Sequence, residues 1–313
     1  MQFKNKTLVK FLAAASMFAL SSAAMASALQ HEQSEVLKPS GKGFPIVDIE
    51  ATKAAHAGNM QIERTSSNAI TYHGGPVMVA NNTNVYYIWY GSWSSAAKSV
   101  LVNFMSTLGG TPIFNVNTSY YNGSKVHVKN VVTLAGQAND NYSLGNSLGD
   151  ADIATIVSNA IGSGALPLDT NASYMVLTAQ DVNETSGFGS QYCGWHDHTT
   201  ISGKDIKYAF VGDPTQIAPS GCGVNSPSPN GNGGADAMTS VIFHELSETV
   251  TDPDISAWYD RSGNENGDKC AWNFGTTFTT SNGATANQTF GGRHYLLQQM
   301  WLNVGSGSCV QKY

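Results

Sequence analysis

Asn84-Val85-Tyr86-Tyr87-Ile88-Trp89-Tyr90 is the stretch on which the fold turns. It is rich in β-formers and almost continuously apolar, so it reads as a strand buried on both faces at the centre of a sheet, with Gly91 ending it. Upstream, Ala69 to Asn81 is turn-rich: Tyr72-His73-Gly74-Gly75-Pro76 feeds Val77-Met78-Val79. Downstream, Ser95 to Leu108 carries Val100, Leu101, Phe104, Met105 and Leu108 at helical spacing. Lys125 to Leu134 reads as a strand. Asp150 to Ile161 reads as a second helix with Asp150 as N-cap and Ile153, Ile156, Val157 and Ile161 facing inward. Tyr174–Thr178 and Lys207–Val211 are short strands, and Pro214 to Gly234 is a Gly/Pro/Asn loop. A third helix runs from Ala235 to Thr251 and is stopped by Pro253. Tyr295 to Trp301 reads as a last strand. Strand–helix–strand alternation ahead of one late helix predicts a single α/β domain, leaning to α+β, with a twisted mixed sheet covered by helices. Zinc peptidases of the zincin type share this order, with the active-site helix last, which is analogy at the level of fold alone.

Residues 1–26 have the form of a signal peptide: Lys4, Lys6 and Lys10, a short apolar core from Phe11 to Leu20, and Ala24-Met25-Ala26 as the cleavage site. That core is too short for a stable membrane anchor, and no later run is longer. Residues 27–68 are polar and aperiodic, an N-terminal arm or pro-segment, leaving residues 69–313 as the folded domain. Loss of three lysines takes the formal charge from −6 to −9. An acidic chain without Lys/Arg clusters is no nucleic-acid binder. The expected location is secreted, extracellular or periplasmic.

Cys193, Cys222, Cys270 and Cys309 are an even set in an exported chain, which argues for two disulfides. Of three connectivities, Cys193–Cys222 and Cys270–Cys309 close the smaller loops at lower entropic cost.

The chemistry is carried by Phe243-His244-Glu245-Leu246-Ser247-Glu248-Thr249-Val250-Thr251-Asp252-Pro253-Asp254. On a helix, His244 and Glu248 share a face with Glu245 beside them. This is the H-E-x-x-H zinc peptidase layout with Glu in place of the second His. In that scheme His244 and Glu248 are metal ligands and Glu245 is the general base. Two protein ligands are too few. Glu265 and Asp268, in the acidic loop Gly263 to Cys270, are the preferred further donors, ahead of Asp252 and Asp254. The bland alternative is a solvated helix end. Against it, His244, Glu245, Glu248, Asp252, Asp254, Asp260, Glu265 and Asp268 fall within 25 positions of a chain with only 22 acidic residues. Zinc is the first candidate cofactor and calcium, which suits oxygen-rich loops, the alternative. His73 reads as a turn residue, and His196 and His198, flanking Asp197, as part of a polar loop rather than as ligands. Tyr86, Tyr87, Trp89, Tyr90 and Trp93 read as core rather than as a sugar platform. No G-x-S-x-G is present, so serine-nucleophile chemistry has no support.

Several segments together resemble the EXORDIUM-like, or phosphate-induced, protein family known from plant cell walls. They are Tyr72 to Val77, Asn84 to Gly91, Tyr174 to Ala179, Cys193-Gly194-Trp195-His196, Tyr208 to Gly212, Pro229-Asn230-Gly231, Gly292 to Leu297, Met300-Trp301 and Cys309. The resemblance implies an apoplastic or cell-surface location and a link to growth or nutrient response. It implies no established activity and supplies no catalytic residues. His244-Glu245 and Glu248 depart from the plant pattern and resemble a bacterial branch with a His-Glu-x-x-Glu motif. The expectation is an exported protein with a metal site, a zinc-dependent hydrolase of peptidase type acting on a peptide or cell-wall polymer. The alternatives are a non-catalytic cell-surface or cell-wall carbohydrate-binding protein, with structural calcium or no metal, and a secreted signalling protein.

Overall fold

The computed structural model describes residues 37–42, 69–223 and 227–313. The expected signal peptide and most of the expected arm lie outside these residues. Eight elements frame the molecule: β1 (Thr83–Tyr90), α1 (Ser95–Leu108), β2 (Val132–Asp140), α2 (Asp150–Gly162), β3 (Ala172–Thr178), β4 (Gly194–Ile201), β5 (Lys204–Gly212) and α3 (Gly233–Thr251). Five strands make one mixed sheet in the order β2-β1-β3-β5-β4. Neighbours from β2 to β5 are parallel, and β4 closes the far edge antiparallel to β5. β3 is buried throughout and β1 everywhere except at Asn84, which is why these two strands carry no apolar/polar alternation. The chain is α/β, with helices packed on a central sheet.

Both edge strands were hard to read. The segment expected as a strand from Lys125 to Leu134 enters the sheet only at Val132 and runs on to Asp140. Lys125 sits instead in a turn at φ 61°, where its N–H donates to Asn122 O. β2 is small and polar (Val132-Thr-Leu-Ala-Gly-Gln-Ala-Asn-Asp140) because much of its edge-strand surface is exposed. β4, read as a polar loop, alternates for the same reason. The expected C-terminal strand from Tyr295 to Trp301 is split between Arg293–Tyr295 and Met300–Leu302, which pair with different partners. At α2 the N-cap is Gly149, one residue before Asp150, and Asp152 Oδ2 accepts from the Gly149 N–H at 2.8 Å.

α3 packs against α1, β4 and β5. It is no solvated surface helix, since every residue from Gly234 to Thr251 is buried. Asn232 caps its start by accepting from the Ala235 N–H. Its many polar side chains are absorbed internally: Thr249 Oγ1 donates to Glu245 O, Thr251 Oγ1 to Ser247 O, and Ser247 Oγ accepts from Asn117 Nδ2. The chain beyond Pro253 wraps the helix in loops and two-stranded ladders, with the Gln298 N–H donating to Ser240 Oγ at 3.0 Å. Residues 37–42 lie along the outer side of β4. The Leu37 N–H donates to Arg261 O, Gly41 O accepts from the His196 N–H at 2.9 Å, and Lys42 pairs with Asp150 at 2.7 Å. Disulfides join Cys193 to Cys222 and Cys270 to Cys309.

Candidate metal centre

Three parts of the chain converge inside the domain. From α3 come His244, Glu245 and Glu248, with His244 Nε2 3.0 Å from Glu248 Oε1 one turn along the helix. From the acidic loop come Glu265 and Asp268, held by a short 3-10 turn at Asp268–Cys270. The Asp268 N–H donates to Glu248 Oε1 at 3.0 Å, and Asp268 Oδ2 accepts from the Glu265 N–H at 3.0 Å. From β4 comes His196, whose Nε2 lies 3.2 Å from Glu265 Oε2 and 3.6 Å from Glu248 Oε2. His244 Nε2 is also 3.6 Å from Asp268 Oδ1. Gly267 lets the loop approach: a Cβ there would stand 2.8 Å from both Glu248 Oε1 and His244 Nδ1.

The site is buried and carboxylate-rich. The His196, His244 and Glu248 side chains are fully buried and that of Glu265 is 1% exposed, while Asp268 keeps 13%. Among the described residues, both oxygens of Glu245, Glu248 Oε2 and Glu265 Oε1 have no hydrogen-bond partner. Buried polar atoms are normally satisfied, so such a concentration of orphans needs an explanation. Burial pushes the Glu245 and Glu265 carboxyls well above the usual range, and pushes Glu248 to about 7, with Asp268 adding to the rise. Burial also drives His196 down to about 3, so its imidazole is neutral. Against its own desolvation, Asp268 is held below its usual value by a hydrogen bond from His244. His244 is in turn raised by Glu248, which outweighs its burial. Imidazole nitrogens and carboxylate oxygens converging on one buried space are a donor set that a divalent cation can use, and zinc takes this mixture. Within each of two triads, His196–Glu248–Glu265 and His244–Glu245–Glu248, the donor atoms lie within 4.8 Å of one another.

Gln298 braces one side of the site from behind. His244 Nδ1 and Gln298 Oε1 are 3.1 Å apart, and Gln298 Nε2 donates to Gly267 O at 3.0 Å. The amide oxygen accepts from Nδ1–H, which leaves Nε2 facing Glu248 and Asp268. Gln298 has no local sequence signal. His196 had one, since in an H-x-H pair on a strand both rings take the same face. The sheet hides His196 under α3, while His198 is exposed beside Asp205 and Asp254.

Asp252 adds its charge to the burial that raises Glu265, yet both it and Asp254 also serve other partners. Asp252 Oδ1 accepts from the Ser256 and Ala257 N–H groups at 2.6 Å, closing the turn after α3. Asp254 pairs with Lys207 at 3.3 Å. His73 stacks on Tyr259 with ring centroids 3.8 Å apart and has Nε2 3.1 Å from Tyr259 O, a turn role. Tyr86, Tyr87, Trp89 and Tyr90 are core, and the partly buried Trp93 packs edge-on against Trp89. A cavity of about 410 Å³ lies elsewhere, at the carboxyl ends of β1, β3 and β5, lined by Trp93, Gln180, Asp213 and Gly233 among others.

The chain is similar to known proteins over most of its length. The conserved region of phosphate-induced protein 1 matches residues 70–311. Protein EXORDIUM-like 3 of Arabidopsis thaliana is 32% identical, over 77% of this chain and 83% of its own length. Protein EXORDIUM-like 5 of the same plant is 32% identical, over 75% and 76%. Protein PHOSPHATE-INDUCED 1 of Nicotiana tabacum is 25% identical, over 63% and 69%. No solved structure matches.

Proposed function

The chain belongs to the phosphate-induced protein 1, or EXORDIUM-like, family, and from that premise we propose that it is an exported protein with a metal-dependent hydrolytic centre of peptidase type. Its two disulfides fit an extracellular location. The observation that carries the reading is Glu245: a fully buried carboxylate with neither oxygen hydrogen-bonded, in one triad with His244 and Glu248. His244, Glu248, Glu265 and Asp268 would hold the ion. A bound zinc would supply Lewis acidity and a water acidified to near-neutral pKa. Glu245, beside His244 and Glu248 on the same helix, would take a proton from that water and return it to a leaving amine.

The test is elemental analysis and peptide hydrolysis on the purified protein, its Glu245→Gln and its His244→Ala. Zinc in the first two, hydrolysis in the first alone and loss of both in the third are expected. Hydrolysis unchanged in Glu245→Gln removes the assignment. The competing reading, a non-catalytic cell-wall binder with a structural calcium, draws on the four carboxylates and the depth of burial. Calcium retention without zinc, together with no turnover, would establish it.

A further inference from the structure

We propose that the centre is built for two divalent ions bridged by Glu248; this rests on the metal reading above and deepens it. The two oxygens of Glu248 serve different histidines. Oε1 stands 3.0 Å from His244 Nε2, and Oε2 stands 3.6 Å from His196 Nε2. Each histidine brings its own carboxylate: Glu265 Oε2 at 3.2 Å from His196, and Asp268 Oδ1 at 3.6 Å from His244. Neither triad of mutually close donors contains both histidines, and Glu248 belongs to each. Ligands about 2.0–2.1 Å from a tetrahedral ion stand roughly 3.4 Å from one another. All four donor separations bracket that value. The layout is therefore His196–Glu265 for one ion, His244–Asp268 for the other, Glu248 between them, and Glu245 left as the base.

Charge points the same way. Glu245, Glu248, Glu265 and Asp268 are four carboxylates around two imidazoles in a buried space. One divalent ion leaves two negative charges uncompensated, or requires two of the groups to stay protonated. Two ions balance all four. Each proposed ligand carboxylate keeps an oxygen without a hydrogen-bond partner among the described residues: Glu248 Oε2, Glu265 Oε1 and Asp268 Oδ1. A single zinc on His244, Glu248, Glu265 and Asp268 would leave His196, buried 3.2 Å from Glu265, without purpose beneath α3. Two-metal hydrolytic sites place their ions about 3.5–4 Å apart, the span a bridging carboxylate sets.

The experiment is metal stoichiometry on the full exported chain, first zinc by elemental analysis after removal of excess ion, then Mn²⁺ by electron paramagnetic resonance at saturation. Two zinc ions per chain and a spin-coupled Mn²⁺ signal are expected. His196→Ala, and His196→Gln as a variant that keeps a polar side chain, should each lower the count to one with circular dichroism unchanged. One zinc per chain in the parent protein, or an uncoupled six-line Mn²⁺ spectrum at two ions per chain, overturns the bridged pair. The hydrolase reading survives the one-ion outcome, whereas no bound metal at all ends both.

Discussion

His196 Nε2 lies 3.2 Å from Glu265 Oε2, joining the edge strand β4 to a loop 69 residues further along the chain. The contact is made under α3, in a space where neither side chain is more than 1% exposed. It turns a helix motif into an enclosed centre, and from it several measurable consequences descend.

The metal-stripped protein should be most stable in mild acid. Glu248 titrates at about 7 and Asp252 at about 6, both raised from ordinary carboxylate values by burial, and Glu245 and Glu265 are raised further. Each folded pKa exceeds its unfolded value, so the native state binds more protons. Their stability is fully present below about pH 4 and is lost as the pH rises through about 7. His196 has the opposite sign, since its folded pKa of about 3 lies below the usual 6.5 and its contribution fades in acid. Asp268, held low, shares the sign of His196, while His244, raised, sides with the four carboxyls, and that larger group prevails. Protons compete with metal for the same donors, so the zinc-loaded protein should show the reverse order. Denaturant melts of both forms at pH 5 and pH 8 decide it, and a stripped protein more stable at pH 8 would contradict the charge account.

Gly267→Ala should damage the centre without straining the backbone. Gly267 sits at φ −73° and ψ −45°, open to any residue. The added methyl would meet Glu248 and His244 directly at 2.8 Å. We expect destabilisation of about 1–3 kcal/mol and loss of most bound metal, read by melting temperature and elemental analysis. Full metal content in the variant would mean that the loop does not close on the helix as described.

Gln298 should behave as a positioning residue. Its Oε1 holds His244 Nδ1, and its Nε2 anchors Gly267 O. Gln298→Ala should weaken metal binding roughly 10–100-fold, with Gln298→Glu recovering part of the loss because a carboxylate still accepts from Nδ1. Competition with a chromophoric chelator measures both. Equal affinity across the three proteins would remove Gln298 from the site.

The two disulfides should separate cleanly. Their sequence separations are 29 and 39 residues, and chain entropy alone assigns each about 4 kcal/mol. General stability therefore falls by similar amounts when either is replaced by serines. Metal retention should not, because only Cys270–Cys309 tethers the loop that carries Glu265 and Asp268. Equal metal loss in the two double-serine variants would show that the tether does not position the loop.

Much of this site was readable because it is local. His244, Glu245, Glu248, Glu265 and Asp268 lie within 25 positions, and α3 announces itself through spacing and Pro253. The central strands β1 and β3 were legible for an equally simple reason, burial on both faces. What stayed hidden depends on tertiary placement. β2 and β4 are edge strands whose exposed residues erase the apolar run, so His196 looked like part of a polar loop. Gln298 sits between two short strands that read as one, and no spacing links it to His244. Asp252 fits a ligand pattern by sequence, yet its oxygen is committed to backbone N–H groups after the helix.

The tie between Cys270 and Cys309 also makes the acidic loop answerable to the redox state of its surroundings. Asp268 lies two residues before the first of these cysteines. Where thiols are kept reduced the loop loses its clasp. The same histidine helix would then face an untethered acidic partner, so an oxidising compartment becomes part of what assembles the cluster.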